Sequence, residues 1–262
     1  MDRPARREAR SIAENRELKQ VNAGAKKTRR TARACEYLTY SGKEAFKRLR
    51  TNVLIALGES DKKCRIIGVT SAQPSEGKST VSVNLAYSLA ELGKSVLVID
   101  GDMRRPAVHD IVGASQTPGI SEILTGKSGL NEAVVRYKST VDSTAFDIIP
   151  GGELSDHPAE LLNSSRLGKM LDVVSTVFDY VVVDLPPVNA VIDAVNVAKH
   201  TDGLVVVLRE NHCSRYVLAE CMEQLRYAGV NILGFVMNGC VEGAGKHYQY
   251  RYQNQPYYRT EK

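Results

Sequence analysis

The chain lacks any uninterrupted apolar stretch near the ~20 residues that a bilayer-spanning helix needs. Its opening, MDRPARREAR, is followed by no hydrophobic segment of the signal-peptide kind. These absences set an expectation of a soluble protein that needs a partner for any membrane role. Cysteine pairing is absent too. Cys35, Cys64, Cys213, Cys221 and Cys240 form no C-x-x-C pair, which excludes a disulfide framework and reads as reduced thiols in a cytoplasmic protein. His212, Cys213 and Cys221 have no fourth ligand at metal spacing, so they read as ordinary helix residues. Internal repeats are missing as well.

What is present is ordinary for a globular α/β chain of 262 residues, with 43% hydrophobic and 25% charged residues. The net charge of +5 is uneven: residues 1–35 carry eleven Lys/Arg against four Asp/Glu, a local +7 that leaves the rest at −2. Such an arm suits nucleic acid or anionic lipid. Its composition also describes a solvated, partly disordered extension with a short helix capped by Ser11 and Glu14, and that reading is preferred.

Regular patterning starts at residue 41. In SGKEAFKRLRTNVLIALG, Ser41 and Glu44 have capping-box spacing, Phe46, Leu49, Val53 and Leu57 recur at helical spacing, and Gly58 ends the run. CRIIGVTS reads as a buried strand. KSTVSVNLAYSLAELG reads as a helix with Val81, Leu85, Leu89 and Leu92 on one face before Gly93. SVLVID reads as a second strand, and continuous apolar runs of this kind suit a parallel sheet covered on both faces. Further strands are predicted at FDIIP, YVVVDLPP, GLVVVL and ILGFVMN, with helices near 159–177, 190–199 and 214–228. The alternation predicts a doubly wound, mostly parallel α/β fold. After Asn238 the pattern collapses, and the expected layout is a basic extension (1–35), a nucleotide-binding domain (36–240) and a mobile tail (241–262).

The chemistry sits at three strand ends. AQPSEGKS nearly fits the phosphate loop G-x-x-x-x-G-K-[ST], with Ala72 in place of the first glycine. Backbone N–H groups of such a loop wrap phosphates at a helix start. Lys78 then reaches the outer phosphates and the Ser79 hydroxyl ligates Mg²⁺. The strand–loop–helix context supports this over a plain capped turn. A dinucleotide site is excluded, because G-x-G-x-x-G is absent. Asp184 ends the strand in YVVVDLPPV, where a carboxylate can hold a metal-bound water beside the loop. Asp100 and Asp102 end another strand in VLVIDGDMRRP, and Gly101 allows a turn through which both can converge on the site. They read either as steering metal and accepting a hydroxyl proton, or as turn acids paired with Arg104 or Arg105.

SAQPSEGKST, VLVIDGDMRRP, VVVDLPPV, the intervening HPAELL and the tyrosine-rich end resemble the bacterial tyrosine kinases of capsule and exopolysaccharide export, over about residues 36–262. The resemblance implies a P-loop fold of the deviant Walker A class and an ATP- and Mg²⁺-dependent tyrosine kinase. It implies ATP contacts at Gln73, Ser75, Glu76, Gly77, Lys78, Ser79 and Thr80, with Asn238 at the adenine. It puts metal at Ser79, Asp100 and Asp184 and catalysis at Lys78, Asp100 and Asp102; which aspartate is the base stays open. The runner-up is a division-site or partitioning ATPase switch of the MinD/ParA type, acting on membrane or nucleic acid. Those proteins carry a second lysine early in the loop, whereas this chain has Gln73 followed by Pro74, which favours the kinase branch.

Five of the twelve tyrosines (Tyr248, Tyr250, Tyr252, Tyr257, Tyr258) lie within eleven positions near the C-terminus. With Arg251 and Arg259 they would suit stacking on RNA. The resemblance implies autophosphorylation instead and argues against a nucleic-acid partner. It also implies a ring of like subunits built through E-x-x-R-x-x-R, here Glu44, Lys47 and Arg50, with lysine lacking the bidentate fork of the first arginine. Further implied partners are a transmembrane activator of the polysaccharide co-polymerase type, which would bring the chain to the inner face of the cell membrane, and a protein-tyrosine phosphatase. The lack of a spanning segment matches the separate, stand-alone type of this family or a fragment of the fused type.

Overall fold

A computed structural model describes residues 12, 20–22, 37–191 and 193–240. The chain runs β1 (Gln20–Asn22), α1 (Tyr40–Leu57), β2 (Arg65–Ser71), α2 (Lys78–Ala90), β3 (Val96–Asp100) and α3 (Val108–Val112). Two short helices follow, α4 (Ile120–Thr125) and α5 (Leu130–Ala133), then β4 (Val135–Lys138) and β5 (Ala145–Ile149). The rest is α6 (Pro158–Leu162), α7 (Ser165–Val174), β6 (Tyr180–Asp184), α8 (Asp193–Ala198), β7 (Gly203–Arg209), α9 (Arg215–Tyr227) and β8 (Ile232–Asn238). The strands form one eight-stranded sheet in the order β1-β4-β5-β3-β6-β2-β7-β8. All pairings are parallel except β4 with β5.

The central strands are buried because their side chains alternate between two cores. Val96 and Val98 of β3, Val182 of β6, and Val205 and Val207 of β7 face α1, α2 and α3. Leu97, Ile99, Val181, Val183, Leu204 and Val206 face the other layer, which holds α4 to α9. In β2, Ile67 and Val69 point to the first of these cores. The parallel strands share one carboxyl edge, where open α/β sheets bind ligands. Ser71, Asp100 and Asp184 all end strands there.

Several expectations shift in detail. The N-cap of α1 is Thr39, whose hydroxyl accepts from the Gly42 N–H at 3.2 Å. Ser41 therefore lies inside the first turn, and Glu44 pairs with Lys47 instead of closing a box. Helix α2 is buried nearly all round, because α1 packs on the side away from the sheet. Leu92 falls beyond α2 and is half-exposed rather than sharing its apolar face. The helix expected over 159–177 is two, α6 and α7, broken at Asn163–Ser164, where the Ser164 hydroxyl bonds the Leu161 carbonyl at 2.6 Å.

Residues 20–22, expected in a solvated arm, pair with β4 as a short strand and cover an otherwise open sheet edge. Ile12 is helical and buried, while Ser11 and Glu14 lie outside the described residues. So do residues 241–262 and all five tail tyrosines. No helix among the described residues is long and apolar enough to cross a membrane.

Candidate active site

The phosphate loop joins β2 to α2 and is held by its own buried groups. Ser75 and Gly77 take positive φ of 67° and 95°, which turn the chain sharply before Lys78 opens the helix. A side chain at position 77 is excluded twice, since a Cβ there would lie 2.0 Å from Asn238 Nδ2. Asn238, at the end of β8, donates that amide to the Glu76 carbonyl at 2.8 Å. The Glu76 side chain is fully buried; it accepts from Gln73 N at 3.0 Å and Arg209 N at 3.4 Å. Gln73 sends its amide away from the loop, to the His212 carbonyl at 2.7 Å. Ala72, at the place of the loop pattern's first glycine, is completely buried.

The carboxylates face this loop because of strand register. Asp100 and Asp184 are direct partners across the parallel β3–β6 pair. Gly101 then donates its N–H to the Asp184 carbonyl at 2.8 Å, and a Cβ at 101 would come within 3.0 Å of that oxygen. Close approach to β6, rather than a left-handed turn, is what glycine serves here. Beyond it Asp102 meets Lys78, with Nζ 2.7 Å from Oδ2, and the same nitrogen lies 3.8 Å from Asp184 Oδ2. Asp184 Oδ1 accepts from the Ser82 hydroxyl at 3.0 Å. Asp100 Oδ2 accepts from Ala107 N and Val108 N, both at 2.9 Å, which anchors the start of α3.

Three buried acids and one buried lysine leave the cluster short of positive charge. Burial and the neighbouring Asp184 push the Asp100 carboxyl up to about 7, although Val108 N–H and Lys78 pull the other way. Burial also raises Asp184, against the pull of Lys78 and the Ser79 and Ser82 hydroxyls. Burial alone would lower Lys78, but the charges of Asp184, Asp102 and Asp100 outweigh it and hold the ammonium charged. Asp100 Oδ1 and Asp184 Oδ2 are buried without hydrogen-bond partners among the described residues.

A cleft of about 770 Å³ opens over these groups, lined by Ser75, Gly77, Lys78, Ser79, Thr80 and Asp102 from the expected set. Gln73, Glu76, Asn238, Asp100 and Asp184 do not line it; they support the loop or lie beneath the floor. Ile111, Pro186, Pro187 and Arg209 of the wall, and Asp193 and Ser82 behind it, were not singled out from the sequence. The Pro-Pro pair after Asp184 was the available signal. No group of three or more His, Cys, Asp or Glu able to hold a metal occurs among the described residues. His212 instead meets the Pro74 carbonyl, and Cys213 the Ser214 carbonyl.

Away from the cleft, the oligomer candidates separate. Lys47 bonds Glu44 within α1, at 2.8 Å. Arg50 is turned inward: Nη1 donates to the Ser88 carbonyl at 2.5 Å and lies 3.7 Å from Glu91. It ties α1 to the end of α2.

Residues 64–228, from the start of β2 through α9, match a family model described as an AAA domain. The chain is 34% identical over 209 residues to the tyrosine-protein kinase YwqD of Bacillus subtilis, covering 80% of this chain and 85% of that one. It is equally similar over 210 residues to the tyrosine-protein kinase Etk of Escherichia coli, but there spans only 28% of the relative's length. The solved kinase domain of Escherichia coli Etk superposes with a TM-score of 0.72 at 34% identity, over 79% of each chain. The cell division ATPase MinD of Pyrococcus furiosus superposes less well, with a TM-score of 0.51 at 25% identity over 66% of this chain and 71% of that one. With the phosphate loop, the paired strand-end aspartates and these relatives together, the chain belongs to the bacterial tyrosine kinases.

Proposed function

We propose that this kinase uses ATP with Mg²⁺ and phosphorylates Tyr248, Tyr250, Tyr252, Tyr257 and Tyr258 of a neighbouring copy. The observation that carries the reading is the Lys78–Asp102–Asp184 cluster at the mouth of the phosphate loop. The residues fit a magnesium ion: two buried carboxylate oxygens, on Asp100 and Asp184, have no hydrogen-bond partner among the described residues, and the Ser79 hydroxyl stands beside Asp184. Ser79 and Asp184 would hold the ion, with Asp100 beneath. One or two carboxylates completed by substrate phosphates and water is the usual Mg²⁺ environment, and no larger acidic cage is needed. Bound there, Mg²⁺ supplies positive charge that offsets the acids and the charge on the transferring phosphoryl group.

The chain's own residues do the rest. The loop's N–H groups and the start of α2 cradle the phosphates. Lys78 exchanges Asp102 for outer phosphate oxygens, which frees that carboxylate. Asp102 lines the cleft and Asp100 does not, so Asp102 is the acceptor of the tyrosine proton. The tyrosine oxygen bonds to the γ-phosphorus, the bond from γ-phosphorus to the β–γ bridging oxygen breaks, and ADP leaves.

By the same reading the kinase regulates capsular or exopolysaccharide synthesis and export. It works at the inner membrane face through a transmembrane activator, is reset by a tyrosine phosphatase and assembles as a ring. Glu44 and Lys47 remain partly exposed for subunit contacts, whereas Arg50 is committed to its own domain. The layout of a basic extension (1–35), a kinase domain (36–240) and a substrate tail (241–262) belongs to this proposal. Incubating the full chain with ATP and Mg²⁺ should place phosphate on tyrosines 248–258. Free phosphate without phosphotyrosine would instead favour the ATPase switch.

A further inference from the structure

Arg104 follows the Asp102 turn, and its Nε donates to Asp193 Oδ2 at 2.8 Å. The Asp193 side chain is 1% exposed and opens α8, while that of Arg104 is 45% exposed and lines the phosphate cleft. The pair spans two walls of the cleft: the loop after β3, and the 186–191 segment that leads into α8.

The way the pair is made matters. A guanidinium has five N–H donors in a rigid fork. Here Asp193 engages Nε, and the two terminal nitrogens have no hydrogen-bond partner among the described residues. Pinning at Nε fixes the plane and leaves the terminal edge free for a phosphate, which arginine binds in bidentate fashion. Asp193 has no other ion pair among the described residues, and its Oδ1 is buried without a hydrogen bond. A buried carboxylate of this kind holds its one cation firmly. Lys78 must leave Asp102 before it can reach a phosphate, whereas the terminal edge of Arg104 already faces the cleft uncommitted. Arg105 lines the same cleft but has no buried acid to aim it among the described residues.

We propose that Arg104 binds the terminal phosphate handled by this site, and that Asp193 is the positioning residue that orients it. The proposal rests on the kinase reading above. The phosphate is either the γ-phosphate of the nucleotide or that of the phosphotyrosine product.

The test uses the full chain with Arg104→Lys, Arg104→Ala, Asp193→Asn and the Arg104→Ala/Asp193→Asn double variant. Each is read for melting temperature, kcat/KM of tyrosine phosphorylation, and affinity for a non-hydrolysable ATP analogue, ADP and a phosphotyrosine peptide. Arg104→Lys keeps the pair with Asp193 and loses the fork. It should melt like the parent, yet lose kcat/KM by roughly tenfold to a hundredfold. Asp193→Asn should lose less, and should lose nothing further in the Arg104→Ala background, although it still lowers the melting temperature there. A γ-phosphate contact predicts weaker ATP-analogue binding by Arg104→Lys with ADP unchanged. A product contact predicts unchanged nucleotide affinities with weaker peptide binding.

Parent-like activity in Arg104→Lys, or an undiminished Asp193→Asn effect on activity in the double variant, overturns the proposal. So do three unchanged affinities. If the parent chain itself phosphorylates no tyrosine, the kinase reading fails instead, and the affinities still report on Arg104.

Discussion

The two banks of the cleft are built on opposite principles. On the loop bank almost every polar group is answered: Glu76 satisfies two backbone N–H groups, Asn238 ties the loop to β8, and Gly77 fits only because it has no side chain. On the carboxylate bank, Asp100 and Asp184 each keep a buried oxygen without a hydrogen bond among the described residues, and three acids share one lysine. Buried polar groups are normally satisfied, and exceptions point to a function. By the proposed reading, the first bank is a mould for phosphate. The second is left short of positive charge until ligands arrive.

Removing Lys78 should damage this arrangement most. Lys78→Met leaves the carboxylates without their cation, which should lower stability by about 3–5 kcal/mol, less whatever protonation of Asp100 relieves, and abolish tyrosine phosphorylation. Urea unfolding measures the first effect. Adding Asp184→Asn to Lys78→Met should restore part of the stability and none of the activity. If the double variant is less stable than Lys78→Met alone, the acids are not in electrostatic excess.

The loop bank should fail differently. Gly77→Ala meets both the positive φ and the Asn238 amide, and should lower stability by roughly 1–3 kcal/mol with loss of nucleotide binding. Asn238→Ala in the same chain removes the clash but not the backbone strain, so thermal melts should show partial recovery. Complete recovery would mean that backbone conformation matters little at this turn.

The smallest effect belongs to a control far from the cleft. The Tyr87 hydroxyl bonds Asp142 at 2.5 Å. Burial raises the Tyr87 pKa with help from the Asp142 bond; for Asp142, burial acts upward, but the Tyr87 and Thr144 hydrogen bonds bring it net below 3.8. A depressed acid stabilises above its ordinary pKa of 3.8 and loses that contribution as pH falls through its folded value. A raised phenol stabilises below 10.0 and loses it at higher pH. The pair is therefore fully effective from about pH 4 to 10. Because Asp142 is exposed, Asp142→Asn should cost at most about 1 kcal/mol at pH 7. The difference from the parent should shrink toward pH 3 in urea titrations, with activity unchanged. A difference that grows in acid would contradict this sign.

How much of this was legible in the sequence follows from the range of the forces involved. The valine and isoleucine runs of β2, β3, β6 and β7 carry their burial in composition, and the loop carries its chemistry in Gly77, Lys78 and Ser79. Strand order was not written locally; it is register that puts Asp100 opposite Asp184. The cap of α1 moved to Thr39 because Thr and Ser cap alike and both were present. Helices α3 to α5 and strand β4 span four to six residues each, too short for periodicity to register. Asp193 was invisible for another reason: its partner lies 89 positions away.

The central claim is transfer from this cleft to tyrosine on another copy. Wild-type chain mixed with a mass-tagged Asp102→Asn chain, ATP and Mg²⁺ tests it by intact-mass and peptide mapping. Phosphate should appear on tyrosines 248–258 of the tagged chain, and none when the tagged variant is incubated alone. A tagged chain that stays unmodified while the wild type phosphorylates its own tail, or phosphate confined to solution, would contradict it.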